Sequence, residues 1–351
     1  MPIHLFDFFC GCGGTTLGFQ HAGLKPVFAL DNSQDSMATF RLNFPEVRGE
    51  QTDITHFPTD GIGEMVANCR KDRIPILFSG CAPCQPFTRQ KTIRKATDER
   101  FGLLGQFRRF VDAHLPDYVF VENVPGLMRP HPDSPLSALM ATLTEKGYHI
   151  ASGIIASQDY GVPQQRHRFV LVASRLGDPM TLPAPTHGPG GSLPYVTVRD
   201  VIAEYPPLQA GATCPVIPSH QAPHLSPLNL ERLRNTRPGQ SRRDWPDHLW
   251  LECHRKGHGG HGDVYGRMRW DEPASGLTTR CISLSNGRFG HPEQDRAISV
   301  REAAALQTFP DDFLFSGMMT SQARQIGNAV PPRLAKAFGM YILNHYRSHS
   351  R

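Results

Sequence analysis

The chain has 351 residues, a formal net charge of +5 and a sequence pI of about 8.8. This mildly basic charge allows a polyanionic partner without requiring one. The hydrophobic content of 39% and the charged content of 20% are ordinary for a globular protein, and no 18-residue apolar run predicts a membrane-spanning helix. The first residues lack the basic and apolar regions of a signal peptide, so we expect a cytoplasmic protein with no membrane partner.

Eight cysteines are scattered along the sequence, at positions 10, 12, 69, 81, 84, 214, 253 and 281. Thiols stay reduced in the cytoplasm. The irregular spacing of these cysteines does not indicate a disulfide framework.

Short apolar segments alternate with helical ones in the first part of the chain. Strands are predicted at residues 3–9, 27–30, 74–78, 117–121 and 168–173, and helices at 15–23 and 33–44. Gly23 ends the first of these helices, and Pro45 follows the second. Short apolar strands separated by helices predict an α/β fold with a parallel, doubly wound sheet.

The character of the sequence changes at about residue 178. Prolines and glycines become frequent, and helical periodicity is weak through about residue 298. This segment is predicted to be a separate, irregular domain. Helices are predicted again in Ser299–Phe309, which is rich in alanine, and in Pro331–Arg347, which begins on prolines suited to a helix N-terminus.

Glycines follow the first predicted strand, at the edge where a doubly wound sheet binds ligands. Gly11, Gly13 and Gly14 would let a ligand approach the backbone. Thr16 stands at the third glycine position of a G-x-G-x-x-G turn. This departure disfavours a pyrophosphate-binding dehydrogenase.

Two aspartates follow the next predicted strands. Asp31 lies twenty residues after Gly11, where a carboxylate can hydrogen-bond ribose hydroxyls, and Asp53 could accept a hydrogen bond from an adenine amino group. Each feature alone is also compatible with a structural role. Together they predict a ligand that contains adenosine.

Cys81 and Cys84 lie in the segment GCAPCQPF, directly after a predicted buried strand. Their spacing is compatible with a redox pair, half of a metal site or a single nucleophile. A redox pair usually opens a helix, which lowers the thiol pKa. Pro83 and Pro86 instead predict a stiff loop, which favours the single nucleophile.

A zinc site would need about four ligands. The best remaining group is Cys253, His254, His258 and His261, which lies in the irregular domain and has no second C-x-x-C. A polar loop is the simpler interpretation of this segment, so no metal is predicted.

A nucleophilic thiolate needs partners that bind and polarise its electrophile. Glu122 ends a predicted buried strand, where a carboxylate is uncommon unless it has a function. Arg166 and Arg168 occupy alternate positions at the start of another strand, so a period of two places both on one face. A structural salt bridge is the alternative interpretation of these arginines.

Two segments are rich in basic residues. The first spans residues 88–109, and the second runs from Arg232 to Arg243. Both a solvated surface and a contact with nucleic acid are compatible with such segments.

The sequence resembles the DNA (cytosine-5) methyltransferases in six motifs that occur in the family's order. They are DFFCGCGG, GCAPCQPF, ENVPGL, YGVPQQRHR, REAAALQTFP and QIGNAVPP. The motifs extend over nearly the whole chain except the irregular insert. Residues 265–280 also resemble the stretch that closes the family's target-recognition domain.

The resemblance implies the Rossmann-like α/β fold of S-adenosyl-L-methionine-dependent methyltransferases, with a doubly wound, mostly parallel sheet. Residues 1–177 and 312–351 would form the catalytic domain that binds this cofactor. Residues 178–311 would form a smaller, irregular target-recognition domain.

The resemblance also implies where S-adenosyl-L-methionine binds. Phe9 stands at the position of the family's stacking aromatic residue and would lie on the adenine. Asp31 would hold the ribose. Asp53 and the backbone of Ile54 would bind the adenine edge.

Three further residues would complete this cofactor site. Gly11 and Gly13 would leave room for the methionine part. Asn328 would help to hold the cofactor and would pack the last helix against the sheet.

The family's chemistry assigns roles to the remaining motif residues. Cys84 would add to C6 of a cytosine that is flipped out of the duplex. Glu122 would bond the N3 and amino edge of the base, and Arg168 would bind its O2 and steady Glu122. Arg166 belongs to the same motif as Arg168, and Cys81 is expected to be a packing residue.

The implied partner is double-stranded DNA of a specific sequence, and the expected location is the bacterial cytoplasm, with nucleoid association through DNA. A compact, monomeric enzyme is expected, accompanied by a restriction endonuclease for the same site or acting alone.

An RNA (tRNA) cytosine-5 methyltransferase is the alternative function. A thiol oxidoreductase that uses Cys81 and Cys84 would be a different class, and it predicts equal damage from changing either cysteine. A binding protein without catalysis is disfavoured because Cys84 and Glu122 are both present.

Overall fold

The computed structural model describes residues 2–83, 102–128, 134–255 and 262–349, with only the backbone described for His254. The chain divides into two compact units. The first unit comprises Met1–Ala156, His167–Pro185 and Val330–Arg351, and the second comprises Ser157–Arg166 and Thr186–Ala329.

The strands and helices of the described residues are numbered in chain order. The strands are β1 (His4–Phe8), β2 (Lys25–Asp31), β3 (Arg48–Gln51), β4 (Ile76–Gly80), β5 (Tyr118–Asn123), β6 (His149–Ala156), β7 (Gln164–Gln165), β8 (His167–Ser174) and β9 (Ala274–Ser275). The helices are α1 (Gly14–His21), α2 (Gln34–Asn43), α3 (Gly63–Lys71), α4 (Leu103–His114), α5 (Pro135–Glu145), α6 (Val198–Ile202), α7 (Pro227–Arg234), α8 (Glu252–Arg255), α9 (Val300–Leu306), α10 (Met319–Asn328) and α11 (Pro332–His349).

A seven-stranded sheet organises the first unit, in the order β3-β2-β1-β4-β5-β8-β6. The pairs from β3 to β5 are parallel, and β8 runs antiparallel to both β5 and β6. The predicted α/β fold with a doubly wound, mostly parallel sheet is therefore confirmed. The chain order of the strands reverses at β1, so the carboxyl ends of β1 and β4 flank the place where such sheets bind ligands.

Aromatic side chains fill the core on one face of this sheet. The ring of Phe8 lies 5.3 Å from that of Phe78, 5.5 Å from that of Phe107 and 4.8 Å from that of Phe110. The latter two rings belong to α4, so burial of these phenylalanines fixes α4 against β1 and β4. The polar strand ends are thereby held on a rigid support.

The second unit has little regular structure, as its proline and glycine content predicts. Its only strand pair among the described residues is the short parallel one between β7 and β9. A small apolar core forms around Leu233, Trp245 and Leu249. An irregular backbone leaves carbonyl groups without ladder partners, and these groups must find other donors when they are buried.

Arginines supply many of those donors. All six buried arginines of the described residues lie in the second unit: Arg166, Arg232, Arg242, Arg267, Arg296 and Arg301. Arg267 donates to the carbonyls of four residues, and Arg301 donates to those of three. The five donors of a guanidinium make such bridging possible.

Two of these arginines correct an interpretation of the sequence. Arg232 and Arg242 belong to the second basic segment, but they are buried, and Arg232 donates to the carbonyl of Leu249. For these two residues, both interpretations of the basic segment, a solvated surface and a contact with nucleic acid, are wrong. Charge in a sequence does not distinguish an exposed arginine from one that satisfies buried carbonyls.

One buried ion pair accompanies the arginine contacts. Arg296 and Glu302 are both fully buried, and Arg296 Nη2 lies 2.6 Å from Glu302 Oε1. Glu302 also accepts from the backbone N–H of Ser299, whose hydroxyl accepts from the N–H of Glu302. This capping box starts α9 where the sequence predicts a helix.

Candidate active site

The turn after β1 brings the backbone to the carboxyl edge of the sheet in an unusual conformation. Phe9 and Gly11 have φ angles of 61° and 55°. Phe9 is partly buried and packs against the main core. A Cβ atom built on Gly11 would have no neighbour within 4 Å among the described residues, so open space adjoins this turn. The predicted glycine turn therefore leaves room beside the backbone for a ligand.

Asp31 is the last residue of β2, and its carboxylate stabilises the turn after β1. Its Oδ2 accepts from the N–H of Gly11 at 2.9 Å, and its Oδ1 accepts from the N–H of Ser33 at 2.9 Å. Burial raises the pKa of the Asp31 carboxyl, although the hydrogen bonds from Ser33 and Gly11 act in the opposite direction. The carboxylate keeps lone pairs for further donors, such as ribose hydroxyls.

Asp53 and Ile54 lie in the turn that follows β3. Asp53 Oδ1 accepts from the N–H and the hydroxyl of Thr55, and these bonds lower the pKa of the Asp53 carboxyl. Ile54 is buried, but its N–H makes no hydrogen bond within the part of the chain that the structure describes. A carboxylate and an unused N–H side by side match the two hydrogen-bonding groups of an adenine edge.

Arg109 holds this turn from α4. Its guanidinium donates to the carbonyls of Ile54 at 2.8 Å and Phe57 at 2.9 Å. Arg109 belongs to the first basic segment, where the sequence suggested a surface or a nucleic-acid contact. Its described role is structural, and its partners lie more than 50 residues away in the chain.

Glu122 and Arg168 form an ion pair on adjacent strands. Arg168 Nε lies 2.8 Å from Glu122 Oε1, and the side chains are only 15% and 8% exposed. Glu122 of β5 is opposite Val170 of β8, which makes Arg168 its diagonal neighbour on the same face. The contact with Arg168 is an ion pair only, because the buried Glu122 Oε1 makes no hydrogen bond of good geometry to the described residues. The predicted pairing of a carboxylate with an arginine is present in the geometry.

Asn123 links the end of β5 to the segment that leads to the predicted nucleophile. It is buried, and its Nδ2 donates to the carbonyl of Ala82 at 3.2 Å. Its Oδ1 accepts from the N–H of Val124 at 2.9 Å. Sequence reasoning gave Asn123 no role, although an asparagine beside Glu122 in ENVPGL was the available signal. Cys84 itself lies outside the described residues.

The described cysteines near this edge are poor nucleophiles. Burial raises the pKa of Cys81 well above its usual range, and the nearby charge of Glu122 raises it further. Burial also raises the pKa of Cys10 well above its usual range and that of Cys12 to about 12. Such raised pKa values make these thiols weak nucleophiles at neutral pH. The packing role of Cys81 stays a prediction.

Asp7 is a buried carboxyl that sequence reasoning missed. It lies on β1, and its Oδ2 accepts from the hydroxyl of Thr16 at 2.7 Å. Burial raises the pKa of Asp7 to about 7, because hydrogen bonds from Thr16 and Ser79 offset only part of the desolvation. Thr16, which replaces the third glycine of a dinucleotide turn, therefore ties the first turn of α1 to β1.

Arg166 and Asn328 belong to the second unit. Arg166 precedes β8, and its guanidinium donates to the carbonyls of Leu277 at 3.0 Å and Gly327 at 3.3 Å. Arg168 instead pairs with Glu122, so the two arginines have different partners. Asn328 is the exposed last residue of α10. Arg166 thus anchors the residue directly before Asn328.

Neither a metal site nor a membrane-spanning helix occurs among the described residues. Within them, no group of three or more His, Cys, Asp and Glu side chains is arranged to hold a metal ion. No described helix is long and apolar enough to cross a membrane. His258 and His261 lie outside the described residues.

Solved structures share this fold. A putative DNA modification methyltransferase encoded within an Escherichia coli prophage superposes with a TM-score of 0.73 and 21% identity, over 98% of this chain and 99% of that one. DNMT2 of Spodoptera frugiperda superposes with a TM-score of 0.64 and 16% identity, over 97% of this chain and 98% of that one. At these identities the likeness establishes the fold alone.

Sequence relatives are closer. Type II methylase M.HgiDII of Herpetosiphon aurantiacus is 38% identical, over 96% of this chain and 94% of its own length. Type II methyltransferase M1.HphI of Haemophilus parahaemolyticus is 33% identical, over 98% and 87%. The family model described as C-5 cytosine-specific DNA methylase matches residues 3–344. The chain therefore belongs to the C-5 cytosine-specific DNA methylase family.

Proposed function

We propose that this chain transfers a methyl group from S-adenosyl-L-methionine to C5 of a cytosine flipped out of a specific sequence of duplex DNA. The observation that carries the proposal is the buried pair of Glu122 and Arg168 at the carboxyl edge of the sheet, in a chain of this family. A carboxylate and a guanidinium on one face can hold the edge of a cytosine in a fixed orientation.

The residues around the turn after β1 fit the cofactor. The open space beside Gly11 suits the methionine part. A Cβ atom on Gly13 would lie 2.4 Å from Cε2 of Phe44, so glycine at this position lets the turn pack against that ring. Asp31 would hold the ribose, and Asp53 with the Ile54 N–H would bind the adenine edge. Phe9 would offer its ring to the base. When bound, S-adenosyl-L-methionine supplies an electrophilic methyl group carried on a positively charged sulfur.

The family resemblance implies that Asn328, the last residue of α10, also helps to hold the cofactor. A Cβ atom on Gly327 would lie 2.1 Å from the carbonyl oxygen of Thr278, so only glycine fits this close approach. Arg166 bonds the carbonyl of the same Gly327. We therefore assign Arg166 to positioning Asn328, and not to contact with the base.

Cys84 would start the chemistry. Carbon C5 of cytosine is a poor nucleophile while the ring is aromatic. Addition of the Cys84 thiolate to C6 forms a C–S bond and moves an electron pair to C5. After C5 has gained the methyl group, loss of the C5 proton to water returns an electron pair to the ring and expels Cys84 as a thiolate.

Glu122 and Arg168 would stabilise the charge that develops during this addition. The Glu122 carboxyl would bond the exocyclic amino group and the proton gained at N3, while Arg168 would bind O2 and keep Glu122 in place. Such groups act most strongly when burial excludes water, and both side chains are largely buried. Asn123 would hold the Ala82 segment, two residues before Cys84, in a fixed position.

A cytosine inside a stacked duplex is out of reach of these groups. Flipping it out costs a few kcal/mol, which contacts with DNA must offset. We assign residues 1–177 and 312–351 to the catalytic domain and residues 178–311 to target recognition. The first basic segment, of which residues 88–101 lie outside the described residues, would contact phosphates, which position DNA without reading its sequence.

The relatives named Type II support a role in restriction and modification. A restriction endonuclease that cuts the same site would be the matching partner of this chain, which we propose to act as a monomer on DNA in the bacterial cytoplasm. Methylation by this chain would then protect the host's own sites.

The proposal is tested by incubating the purified chain with S-adenosyl-L-methionine that carries a labelled methyl group. Duplex DNA and tRNA are offered in parallel, and the products are digested to nucleosides. We expect label in 5-methylcytosine from duplex DNA, and bisulfite sequencing should place it within one short sequence. Label in tRNA alone, or in another nucleoside, would overturn the proposal.

A further inference from the structure

A polar pocket of about 230 Å³ lies in the second unit, and none of its residues has an individual role above. The residues of its wall that matter here are Gln165, Gly239, Arg269, Glu272, Ser275 and Arg288. Gln165 and Arg269 are exposed, so the pocket is open to solvent. Gln165 stands three positions before Arg168 in the sequence motif that carries both. We call these six residues the arginine pocket.

The two arginines of the arginine pocket have donors to spare. Arg269 uses Nη1 on Glu272 at 2.6 Å, and Arg288 uses Nη1 on the carbonyls of Gln240 and Arg267. Within the part of the chain that the structure describes, Nε and Nη2 of both arginines make no hydrogen bond. The side-chain amide of Gln165 has no described partner either.

Both guanidinium groups are held in place. A Cβ atom on Gly239 would lie 2.1 Å from Arg269 Nε, so the glycine allows this side chain to lie directly on the backbone. Arg288 is half-buried, and this desolvation lowers its pKa. The cation has lost contacts with water that hydrogen bonds and nearby carboxylates do not fully replace. Fixed, incompletely paired donors suit a ligand rich in acceptors.

The surrounding charges distinguish between two kinds of acceptor. Glu272 lies in the wall itself, and the charges of Asp263 and Asp244 also act on Arg288. These carboxylates would repel a phosphate, which carries a full negative charge. A neutral acceptor edge meets no such repulsion and still receives the arginine donors.

We propose that the arginine pocket reads the major-groove edge of a guanine in the target sequence, with Arg269 and Arg288 as the specificity-determining side chains. This inference rests on the proposed function. Guanine presents two acceptors, N7 and O6, on this edge, and a guanidinium binds both at once. Of the four bases, guanine alone offers two acceptors and no donor there.

The test uses the full chain and a library of duplex oligonucleotides with randomised sequence. Methylated members are identified by bisulfite sequencing at several salt concentrations. Arg269→Gln and Arg288→Lys are compared with wild type. Arg288 also donates to two backbone carbonyls, so Arg288→Lys could disturb the fold. Arg269 is exposed, so Arg269→Gln tests the inference without this risk.

We expect either variant to reduce the preference for guanine at one position of the site by roughly 5- to 100-fold. Arg199→Gln is the matched control, because Arg199 is an exposed arginine of the same unit whose Nε and Nη2 are both used by Asp271. This control should leave the sequence preference unchanged.

Two results would overturn the inference. The first is an unchanged preference at every position in both variants. The second is a uniform loss over all sequences together with a shallower salt dependence, which indicates a phosphate contact. If wild type methylates no member of the library, the proposed function fails instead.

Discussion

Two fully buried carboxyls, one in each unit of this chain, have opposite surroundings. In the first unit, Asp7 is buried with hydroxyl donors, and desolvation raises its pKa to about 7. In the second unit, Glu302 is equally buried, but the hydrogen bonds and charge of Arg296 outweigh desolvation and lower its pKa. A regular sheet pairs its own backbone groups and has an apolar core, whereas an irregular backbone needs buried arginines.

This difference separates the tasks of the units. The parallel strands of the first unit end at one edge and bring polar side chains to a rigid support. The second unit obtains its shape from specific contacts such as those of Arg267 and Arg301. Changes to its buried arginines should therefore affect folding, whereas changes at the strand ends should affect chemistry.

Among the changes that compare the two units, Glu122→Gln should give the largest effect. The glutamine keeps the shape but loses the charge that holds Arg168 and steadies the protonated base, so the rate of methyl transfer should fall about 10²- to 10⁴-fold. Single-turnover transfer of labelled methyl to duplex DNA measures this rate. Arg168 is 15% exposed and keeps some contact with water, so the loss of stability should be smaller than that of Glu302→Gln. A rate within tenfold of wild type would contradict the assigned role.

Glu302→Gln should affect the fold instead. It leaves the Arg296 cation buried without its counter-charge, which costs about 3–5 kcal/mol of unfolding free energy. Urea unfolding measures this loss. Asp271→Asn is the matched control, because it breaks the exposed pair with Arg199 in the same unit and should change stability little. Equal losses in the two variants would mean that burial of the pair is unimportant.

Asp7→Asn tests the opposite treatment of charge in the first unit. The pKa of Asp7 is about 7 in the folded chain and 3.8 in the reference state, so the folded chain binds more protons between these values. The unfolding free energy should therefore decrease as the pH rises from about 4 to 7, by at most about 4 kcal/mol.

In the asparagine variant this part of the pH dependence should disappear. Urea unfolding of wild type and variant at pH 5 and pH 8 makes the comparison. The Glu302 contribution has the opposite sign, because its lowered pKa means that stability is lost only as the pH falls below about 4.5. Equal changes of the unfolding free energy between pH 5 and pH 8 in wild type and variant would contradict the assignment.

Asp53→Ala should give the smallest effect. It removes one acceptor for the adenine edge, so the Kd for S-adenosyl-L-methionine should rise about tenfold. Calorimetric titration measures this affinity without DNA or turnover. Asp60→Ala, at an exposed aspartate in the turn Thr59–Ile62, is the control and should bind normally. An unchanged Kd in Asp53→Ala would remove Asp53 from the site.

Sequence periodicity predicted the sheet because most of its strands are short apolar runs that can be recognised without knowledge of distant contacts. It missed β6, where Ser152 and Gly153 interrupt the apolar run and pairing with β8 supplies the order. It also gave no sign that β8 is antiparallel, since strand direction depends on the connection and not on composition.

The site was only partly predictable for a related reason. Strand-end residues such as Asp31 and Glu122 stand out because polar groups are rare after buried strands. Arg109 and Asn123 act on carbonyls that are distant in sequence, 55 and 41 residues away, and no local pattern reports such contacts. For the same reason, the sequence did not indicate that Arg232 is buried and donates to the carbonyl of Leu249.

The central claim is that one cysteine, Cys84, is the nucleophile, and that Cys81 beside it fills space. The most direct measurement compares methyl transfer to duplex DNA by Cys84→Ala and Cys81→Ala. We predict no detectable transfer by Cys84→Ala and a rate near that of wild type for Cys81→Ala. Comparable loss in both variants, or persistent transfer by Cys84→Ala, would contradict the account.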